Sequence, residues 1–335
     1  MNVVYASNDN YARHLAVSLY SLLEHNREIP DVQIYILSMG LSPETRAWLD
    51  QVADTFGRSL TIIELGDLRE RFSYEVDTGG FDLSIMARLF IGEVLPPDTD
   101  RVLYLDCDTV VLASLKRLWE TELDSSILGA VMEPTIYPSI KEEIGLLPDE
   151  PYFNSGVLLI DMKRWRTEYA GKLLLDFYCS RGGKLFAGDQ DTINGALKGK
   201  IKPLPPRYNF FTNYRYYRYS HLTRLSPVYG KITKKSFQEA KRRPVILHFM
   251  GDERPWKEGN LNHYRKAYET YLSRTPWAGT PKENGTGLYM AAYHLMDYAT
   301  FLFPPVRDFV SRRFGMQVIN SRKNVQKETD QKEKA

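Results

Sequence analysis

Two aspartates separated by one residue follow an apolar segment in "VLYLDCDTVV", residues 102–111. Asp106 and Asp108 lie where a buried strand is predicted to end, and in an open parallel sheet ligands bind beyond the carboxyl ends of the strands. Side chains at i and i+2 of an extended chain face the same side, so both carboxylates can converge. Because adjacent carboxylates repel, the pair suits a divalent cation, which could in turn neutralise a diphosphate.

Other interpretations of the aspartate pair remain open. An isolated Asp-x-Asp is common as a cap of the turn after a strand. The segment "DCDTV" also resembles the first motif of haloacid-dehalogenase phosphatases, in which the first aspartate, here Asp106, is a nucleophile. That motif normally follows the first strand of its domain, whereas at least three strands are predicted before this one. The later acidic pair of those phosphatases has only "GDQD", residues 188–191, as a poorly spaced counterpart.

The composition is that of a globular protein. The 335 residues include 44 basic and 42 acidic side chains, and 43% are hydrophobic, which is enough for one large or two smaller cores. A formal net charge of +2 gives no indication of nucleic-acid binding. Cys107 and Cys179 have no CxxC spacing, which suits a reducing compartment. The N-terminus, "MNVVYASNDN", lacks the features of a signal peptide, so we expect a cytoplasmic protein.

Strands and helices alternate in the first part of the chain. "NVVYA", "VQIYIL", "LTIIEL" and "RVLYLD" are typical of buried strands, and the segments between them of helices. Helical spacing is clearest in the first helix, at Ala12, Leu15, Leu19, Leu22 and Leu23. "SIMARLFIGEVL" is predicted as a helix that ends before Pro96 and Pro97. This order predicts an α/β fold with a mostly parallel sheet covered by helices on both faces.

Five motifs in sequence order carry a resemblance to a known family. They are "NVVYASNDNY", "SIMARL", the Asp-x-Asp pair, "YFNSGVLLIDMKRW" with "FAGDQDTINGAL", and "HFMGDERPW". Together they make the chain similar to the retaining family-eight glycosyltransferases over roughly residues 1–260, and above all to bacterial lipopolysaccharide galactosyltransferases and glucosyltransferases. The resemblance implies a GT-A fold, a UDP-sugar donor, Mn²⁺ and retention of the anomeric configuration.

The resemblance also implies roles for single residues. Asp106, Asp108 and His248 resemble the metal ligands; the imidazole favours Mn²⁺, although Mg²⁺ is compatible with the carboxylates. Asp106 is further expected to face the ribose. The residues that resemble the rest of the donor site are Ala6, Asn8 and Asn10 for the uracil, Arg88 near the phosphates and sugar, and Gly251 and Arg254 for the diphosphate. Asn8 stands where the family often has Asp, but its side-chain oxygen can still accept from the uracil imide.

The sugar side is expected to contain Glu133, Asn154, Asp189 and Gln190, of which Gln190 and Asp189 are expected to be the catalytic residues. Gln190 corresponds to the position expected on the β-face of the anomeric carbon, where an amide would be a poor nucleophile. We therefore favour a front-side mechanism, in which the acceptor attacks on the face that UDP leaves and Gln190 stabilises positive charge. A double displacement remains the alternative.

The remaining segments concern the acceptor and the C-terminus. "RYNFFTNYRYYRYSH" combines aromatic rings with arginines and is interpreted as part of an acceptor pocket or as a packed surface loop. We expect a catalytic domain over 1–275, a linker over 276–287, an amphipathic helical extension over 288–318 and a disordered charged tail over 319–335. Residues 288–314 suit a helix at the inner face of the plasma membrane or one packed on protein.

The predicted function is therefore a cytoplasmic, Mn²⁺-dependent transferase. It would move galactose or glucose from a UDP-sugar to a cell-surface glycan or glycolipid. The alternatives are the phosphatase that uses Asp106 and a protein that binds sugar nucleotides or glycans without catalysis.

Overall fold

The strands and helices of the protein follow the predicted alternation. The computed structural model describes residues 1–78, 82–251, 254–283 and 287–310. The strands are β1 (Asn2–Ser7), β2 (Gln33–Ser38), β3 (Leu60–Glu64), β4 (Arg101–Leu105), β5 (Thr109–Val111), β6 (Leu128–Val131), β7 (Val157–Asp161), β8 (Ile201–Leu204), β9 (Phe210–Phe211) and β10 (Ile246–His248).

The α-helices are α1 (Ala12–Glu24), α2 (Pro43–Asp54), α3 (Ile91–Val94), α4 (Lys116–Trp119), α5 (Pro138–Glu143), α6 (Met162–Thr167), α7 (Ala170–Ser180), α8 (Gly188–Ala196), α9 (Tyr219–Leu225), α10 (Lys234–Arg242), α11 (Arg265–Leu272), α12 (Gly287–Leu302) and α13 (Pro304–Val310). Short 3₁₀ segments connect several of them.

A seven-stranded sheet in the order β3-β2-β1-β4-β7-β6-β8 forms the centre of the fold. Its pairs are parallel except where β7 runs antiparallel to β4 and to β6. The central strands β1 and β4 are buried on both faces, which explains why they appear in the sequence as continuous apolar segments. The predicted mixed α/β fold with a mostly parallel sheet is confirmed.

A smaller sheet, β5-β10-β9, brings His248 next to the aspartate pair, which is far from it in the sequence. In the antiparallel β5–β10 ladder, His248 lies opposite Thr109, the residue that directly follows Asp108. The Phe249 N–H also donates to the Asp108 carbonyl at 3.0 Å. The approach of His248 to the aspartate pair therefore depends on this strand pairing.

Helix α1 supports the small sheet from below. Its predicted apolar positions are all buried, and Leu15, Leu19 and Leu22 are fully so. Two serines on the same helix are buried as well. Ser18 Oγ lies 2.8 Å from Thr109 Oγ1, and Ser21 Oγ accepts from the Val111 N–H at 2.9 Å. The helix thus binds the edge of β5 through side-chain hydrogen bonds and fixes the strand that follows Asp108.

The segment predicted as one α-helix at "SIMARLFIGEVL" is different in the structure. Residues Leu83–Phe90 form 3₁₀ turns, and only Ile91–Val94 is α-helical. The five consecutive residues from Met86 to Phe90 are all buried, so this part of the segment has no solvent-facing side of the kind that an amphipathic α-helix requires. Leu95 is extended before Pro96, which confirms the predicted end.

The C-terminal helix α12 has its polar and apolar faces reversed relative to a normal surface helix. Met290, His294, Asp297 and Thr300 are buried against the preceding structure, with the Leu261 N–H donating to His294 Nε2 at 3.0 Å. The opposite side is exposed and apolar, at Leu288, Leu295, Tyr298 and Leu302, and Phe303 directly after the helix is exposed as well. We call this side the outer face. The helical C-terminal extension is therefore present, and its outer face is left uncovered within the described residues.

The segment predicted as a linker lies against α1 and α2 where it is described. Trp277 packs edge-on to Trp48 with ring centroids 5.0 Å apart, and Glu283 forms an ion pair with Arg13. The domain boundaries remain a prediction, and the charged tail at 319–335 lies outside the described residues. Among the described residues, none of the helices combines the length and apolar character needed to cross a bilayer.

Candidate active site

Asp106, Asp108 and His248 converge at the carboxyl end of β4. One ligand atom from each of the three lies within 4.8 Å of the others. His248 Nε2 lies 3.2 Å from Asp108 Oδ1 and 4.0 Å from Asp106 Oδ2. Three electron-pair donors thus face one point, which is the arrangement that a divalent cation or a proton would stabilise. The residues predicted as metal ligands are brought together by the fold.

Arg88 is buried beneath this cluster and balances its negative charge. Its guanidinium contacts Asp106 Oδ1 at 2.7 Å and Asp189 Oδ2 at 3.1 Å, and donates to the Ser155 carbonyl at 2.6 Å. It also lies over the ring of Tyr104, 4.4 Å from the centroid. Arg88 is therefore not the solvated helix charge that a lone arginine would suggest. The guanidinium lies between two acids that would otherwise repel each other, with a hydrogen bond to Asp106 and an ion-pair contact to Asp189.

The pKa values of the cluster reflect burial opposed by charge. Burial alone would raise the pKa of Asp108, but His248 and Arg254 hold it at about 2. Burial would lower the pKa of His248, yet Asp108 and Asp106 raise it above its usual value. Asp189 differs, because burial raises its pKa to about 6 against the opposing effect of Arg88. Asp108 is therefore available as an ionised ligand at neutral pH, while Asp189 ionises less readily.

Gly156 lies directly against the cluster and contributes space instead of a side chain. A Cβ built on it would lie 2.8 Å from Asp106 Oδ2 and 2.9 Å from His248 Nδ1. Such distances are too short for any side chain. The Gly156 carbonyl also accepts from the Asp106 N–H at 2.8 Å. Only glycine at this position lets the histidine and the aspartate approach each other.

Three of the four residues predicted for the sugar side form one hydrogen-bonded group with Tyr152. Asn154 Nδ2 donates to Glu133 Oε2 at 3.1 Å and to Gln190 Oε1 at 2.9 Å. Gln190 Nε2 donates to Glu133 Oε2 at 3.2 Å and to Tyr152 Oη at 3.0 Å. Burial raises the pKa of Glu133 despite the hydrogen bonds from the two amides. These groups are thus positioned mutually, and Asp189 lies apart from them on Arg88.

The first loop and the segment around Arg254 meet on the other side of the aspartates. Asn8 Oδ1 accepts from the Tyr11 N–H at 3.3 Å, and Asn8 Nδ2 donates to Asp82 at 2.9 Å. Arg254 lies 3.4 Å from Tyr11 Oη and 4.0 Å from Asp108 Oδ2. Both the oxygen and the amide group of Asn8 thus already have protein partners, which the sequence did not reveal.

Three other predicted donor-site residues have simpler surroundings. The Ala6 carbonyl is 3.2 Å from Cys107 Sγ, and Asn10 is exposed. Gly251 has φ +86°, a left-handed conformation that glycine adopts without strain. Its carbonyl accepts from Arg254 Nε at 2.9 Å, so the glycine turn orients the arginine.

Several site residues were not singled out from the sequence. Gly156 and Tyr152 lie within the quoted motif "YFNSGVLLIDMKRW", and Asn209 lies within the aromatic segment. Tyr11 directly follows the first-loop asparagines. Nothing in their spacing distinguishes them from core or turn residues, because their importance comes from contacts between distant parts of the chain.

Comparison with known proteins identifies the family. The family model described as "Glycosyl transferase family 8" matches residues 2–259. The chain belongs to glycosyl transferase family 8. This result does not favour the phosphatase alternative, because the match includes the aspartate pair together with the four strands and helices that precede it.

One of the relatives of this chain is named as an enzyme of lipopolysaccharide synthesis, and another as a stress protein. General stress protein A of Bacillus subtilis is 28% identical over 289 residues, covering 85% of this chain and 98% of that protein. Lipopolysaccharide 1,2-glucosyltransferase of Escherichia coli is 25% identical over 281 residues, with 83% and 79% covered. The solved structure of the galactosyltransferase LgtC, in complex with donor and acceptor sugar analogs, matches with TM-score 0.70 and 26% identity over 82% of this chain and 96% of that one. The GT-A fold and glycosyltransferase activity are therefore supported.

The space beside Gly156 can be tested by substitution. We expect Gly156→Ala to weaken binding of the divalent cation predicted for this cluster, tested with Mn²⁺, tenfold or more, because the added methyl group must displace His248 or Asp106. Binding can be measured by electron paramagnetic resonance of free Mn²⁺. Gly230→Ala is the control, since a Cβ there meets no atom within 4 Å. Equal Mn²⁺ affinity of Gly156→Ala and wild type would contradict the packing argument.

The raised pKa of Asp189 predicts a pH-dependent stability. The pKa of Asp189 is about 6 in the folded state and 3.8 in the unfolded state. Between pH 3.8 and 6 the folded state therefore binds more protons than the unfolded state. The free energy of unfolding that Asp189 contributes thus falls as the pH rises from 3.8 to 6. Relative to Asp189→Asn, the wild type should lose roughly 2–3 kcal/mol of unfolding free energy from pH 4 to 6. Urea unfolding without metal measures it, with the exposed Asp176→Asn as control. If the free energy of unfolding changed equally with pH in the wild type and in Asp189→Asn, the raised pKa of Asp189 would be contradicted.

Proposed function

We propose that this family 8 protein is a cation-dependent, retaining hexosyltransferase that transfers galactose or glucose from a UDP-sugar to a cell-surface glycan or glycolipid. The observation that carries the proposal is the convergence of Asp106, Asp108 and His248 above the buried Arg88. The names of its relatives, a lipopolysaccharide glucosyltransferase and a galactosyltransferase, support the class of hexose and acceptor.

The donor set of the cluster fits a divalent cation. Two carboxylates suit Mg²⁺ or Mn²⁺, and the imidazole shifts the preference toward Mn²⁺. A bound cation would neutralise the charge of the donor diphosphate and so help UDP to leave. Arg254 adds a second positive group near Asp108. Gly251, which turns the chain beside it, leaves room for a phosphate to approach the backbone.

The first loop is our candidate for binding the nucleoside. Ala6, Asn8 and Asn10 end β1 and begin the turn that follows it, beside Tyr11. Asn8 Oδ1 accepts one hydrogen bond from the Tyr11 N–H and keeps a second lone pair for the uracil imide. Asp106 lies near the same end of the sheet, where we expect it to face the ribose.

The surroundings of Gln190 support the front-side mechanism. Its Oε1 accepts from Asn154 Nδ2 at 2.9 Å and from the Ser155 N–H at 3.1 Å, so both lone pairs of that oxygen are engaged. An amide oxygen held in this way is a still poorer nucleophile toward the anomeric carbon. We propose that Gln190 and Glu133 stabilise positive charge on the sugar ring, and that Asp189 acts by holding Arg88.

The aromatic segment provides our candidate acceptor surface. Tyr214 Oη lies 3.1 Å from Thr135 Oγ1, two residues beyond Glu133. Phe211 packs against His248 with ring centroids 6.0 Å apart. The segment thus adjoins both the sugar-side group and the cation cluster, and aromatic rings suit the apolar faces of sugars.

We further propose that the outer face of α12 lies on an anionic membrane surface at the inner side of the plasma membrane. The helix buries its polar side against the protein and exposes Leu288, Leu295, Tyr298 and Leu302. An apolar helical face beside basic residues favours insertion into the interface of a bilayer. Tyr216 and Arg218 contact Tyr298 and Phe301, so docking would occur next to the acceptor segment.

A panel of UDP-sugars with Mn²⁺ tests the transferase function. We expect slow release of UDP from UDP-galactose or UDP-glucose, abolished by chelation and reduced at least a hundredfold by Asp108→Ala, because one cation ligand is lost. The exposed Asp176→Asn serves as the control. Binding of UDP-sugar without release under any condition would favour the non-catalytic alternative. Absence of both binding and release, with Asp108→Ala unchanged, would exclude the transferase.

Co-sedimentation with vesicles of phosphatidylglycerol and phosphatidylethanolamine tests membrane docking. We expect Leu295→Glu with Leu302→Glu to reduce the bound fraction several-fold, because the charges would have to enter the bilayer interface. Leu147→Glu is the matched control, since Leu147 is also exposed but lies away from α12. Sedimentation unaffected by the double substitution would argue against the outer face as the membrane contact.

A further inference from the structure

A chain of side-chain amides connects the proposed cation ligand His248 to the sugar-side group. His248 Nδ1 lies 2.9 Å from Asn209 Oδ1, and Asn209 Nδ2 donates to Asn154 Oδ1 at 2.8 Å. Asn154 in turn donates to Gln190 and Glu133. His248, Asn209, Asn154 and Glu133 are buried, so no group in the chain can exchange its partner for bulk water without cost.

The direction of every hydrogen bond in this chain follows from one backbone group. The Gly156 N–H can only donate, and it donates to the Asn154 side chain at 2.9 Å. That contact identifies the receiving atom of Asn154 as its oxygen, without reliance on amide orientation. The atom of Asn209 that faces the same oxygen must therefore be its nitrogen. Asn209 then turns its own oxygen toward His248 Nδ1, which must carry the proton.

A second backbone group supports the same assignment from the other end. The Ser155 N–H donates to Gln190 at 3.1 Å, which identifies Gln190 Oε1 as the acceptor there. Gln190 Nε2 must then face Glu133 and Tyr152, and the Tyr152 hydroxyl donates to Asp191 at 2.5 Å. Asn154 Nδ2 also faces Gln190 Oε1, as its assigned orientation requires. Both ends of the chain thus agree on one pattern of donors and acceptors.

We infer that Asn209 is a positioning residue that holds His248 as the Nδ1–H tautomer, so that its Nε2 lone pair faces Asp106 and Asp108, and that Asn154 ties this arrangement to Gln190 and Glu133. This inference rests on the proposed cation-dependent function. A metal-binding histidine needs its second nitrogen held in this way, and loss of such a partner typically costs 10–100-fold in metal affinity. The same amide chain makes the cation site and the sugar side one connected structure.

The tautomer can be measured directly in the wild-type protein. Histidine labelled with ¹⁵N in the full chain, recorded with saturating Mg²⁺ as a diamagnetic substitute for Mn²⁺, should show the proton of the His248 ring on Nδ1. The His248→Gln variant assigns the signal. A proton on Nε2 would overturn the inference, and this result depends neither on activity nor on the folding of any Asn209 variant.

Two substitutions of Asn209 separate its acceptor from its donor. Asn209→Leu removes both and should weaken Mn²⁺ binding, measured by electron paramagnetic resonance, by 10–100-fold. Asn209→Asp keeps the acceptor for His248 but has no N–H for Asn154. It should therefore retain Mn²⁺ affinity within a few-fold, while kcat for UDP-sugar hydrolysis falls at least tenfold and KM changes less. Gln33→Leu is the control, because it replaces an exposed side-chain amide at the beginning of β2.

The outcomes distinguish this inference from the proposed function. Unchanged Mn²⁺ affinity in Asn209→Leu would overturn the positioning role of Asn209. An equal loss of Mn²⁺ affinity in Asn209→Asp and Asn209→Leu would also overturn it, provided that circular dichroism shows both variants to be folded. Wild-type kcat in Asn209→Asp would overturn the link to the sugar side. If the wild type binds Mn²⁺ and shows the Nδ1–H tautomer but hydrolyses no UDP-sugar, the proposed function fails and the positioning role of Asn209 stands.

Discussion

The organisation of the site depends on balancing several acids within a small, largely buried volume. Asp106, Asp108 and Asp189 lie near one another at the end of β4, and ionised carboxylates at such range repel strongly. Arg88 compensates the charges of Asp106 and Asp189 from below. His248 faces Asp106 Oδ2 and Asp108 Oδ1 from above. The guanidinium that provides this balance is fully buried. The remaining deficit of positive charge lies where the cation and the donor diphosphate are proposed to bind.

The backbone makes this concentration of charge geometrically possible. The β5–β10 ladder brings His248 opposite the end of the aspartate pair, and Gly156 leaves the space in which the two sides meet. Backbone N–H groups of Ser155 and Gly156 then determine the orientation of the amides around the site. Since β7 begins directly after these residues, the central sheet itself holds the donors in place. A site built on strand ends in this manner needs little rearrangement to keep its geometry.

The C-terminal helix α12 has an unusual distribution of polar and apolar side chains. Its buried side is polar and its exposed side is apolar, the opposite of what solvent favours for a helix at a protein surface. The helix contacts the aromatic segment that adjoins His248, so the surface proposed to meet the membrane and the surface proposed to bind the acceptor are neighbours. For a glycolipid acceptor, this arrangement would bring the reacting hydroxyl and the donor to the same side of the molecule.

The sequence by itself determined the fold class, the family and the three residues that converge in the proposed cation cluster. Continuous apolar strands, helical periodicity and five ordered motifs are local patterns, and each can be recognised without knowing what lies beside it. The 3₁₀ conformation of residues 83–90 is not predictable in this way, because the burial of residues 86–90 comes from neighbours distant in the chain.

Only the tertiary structure decided which atoms meet. The partners of Asn8, the space at Gly156, the reversed faces of α12 and the amide chain through Asn209 all depend on contacts between residues far apart in sequence. Hydrogen-bond direction and close packing are properties of pairs of atoms in space, and residue type and spacing along one chain do not specify them.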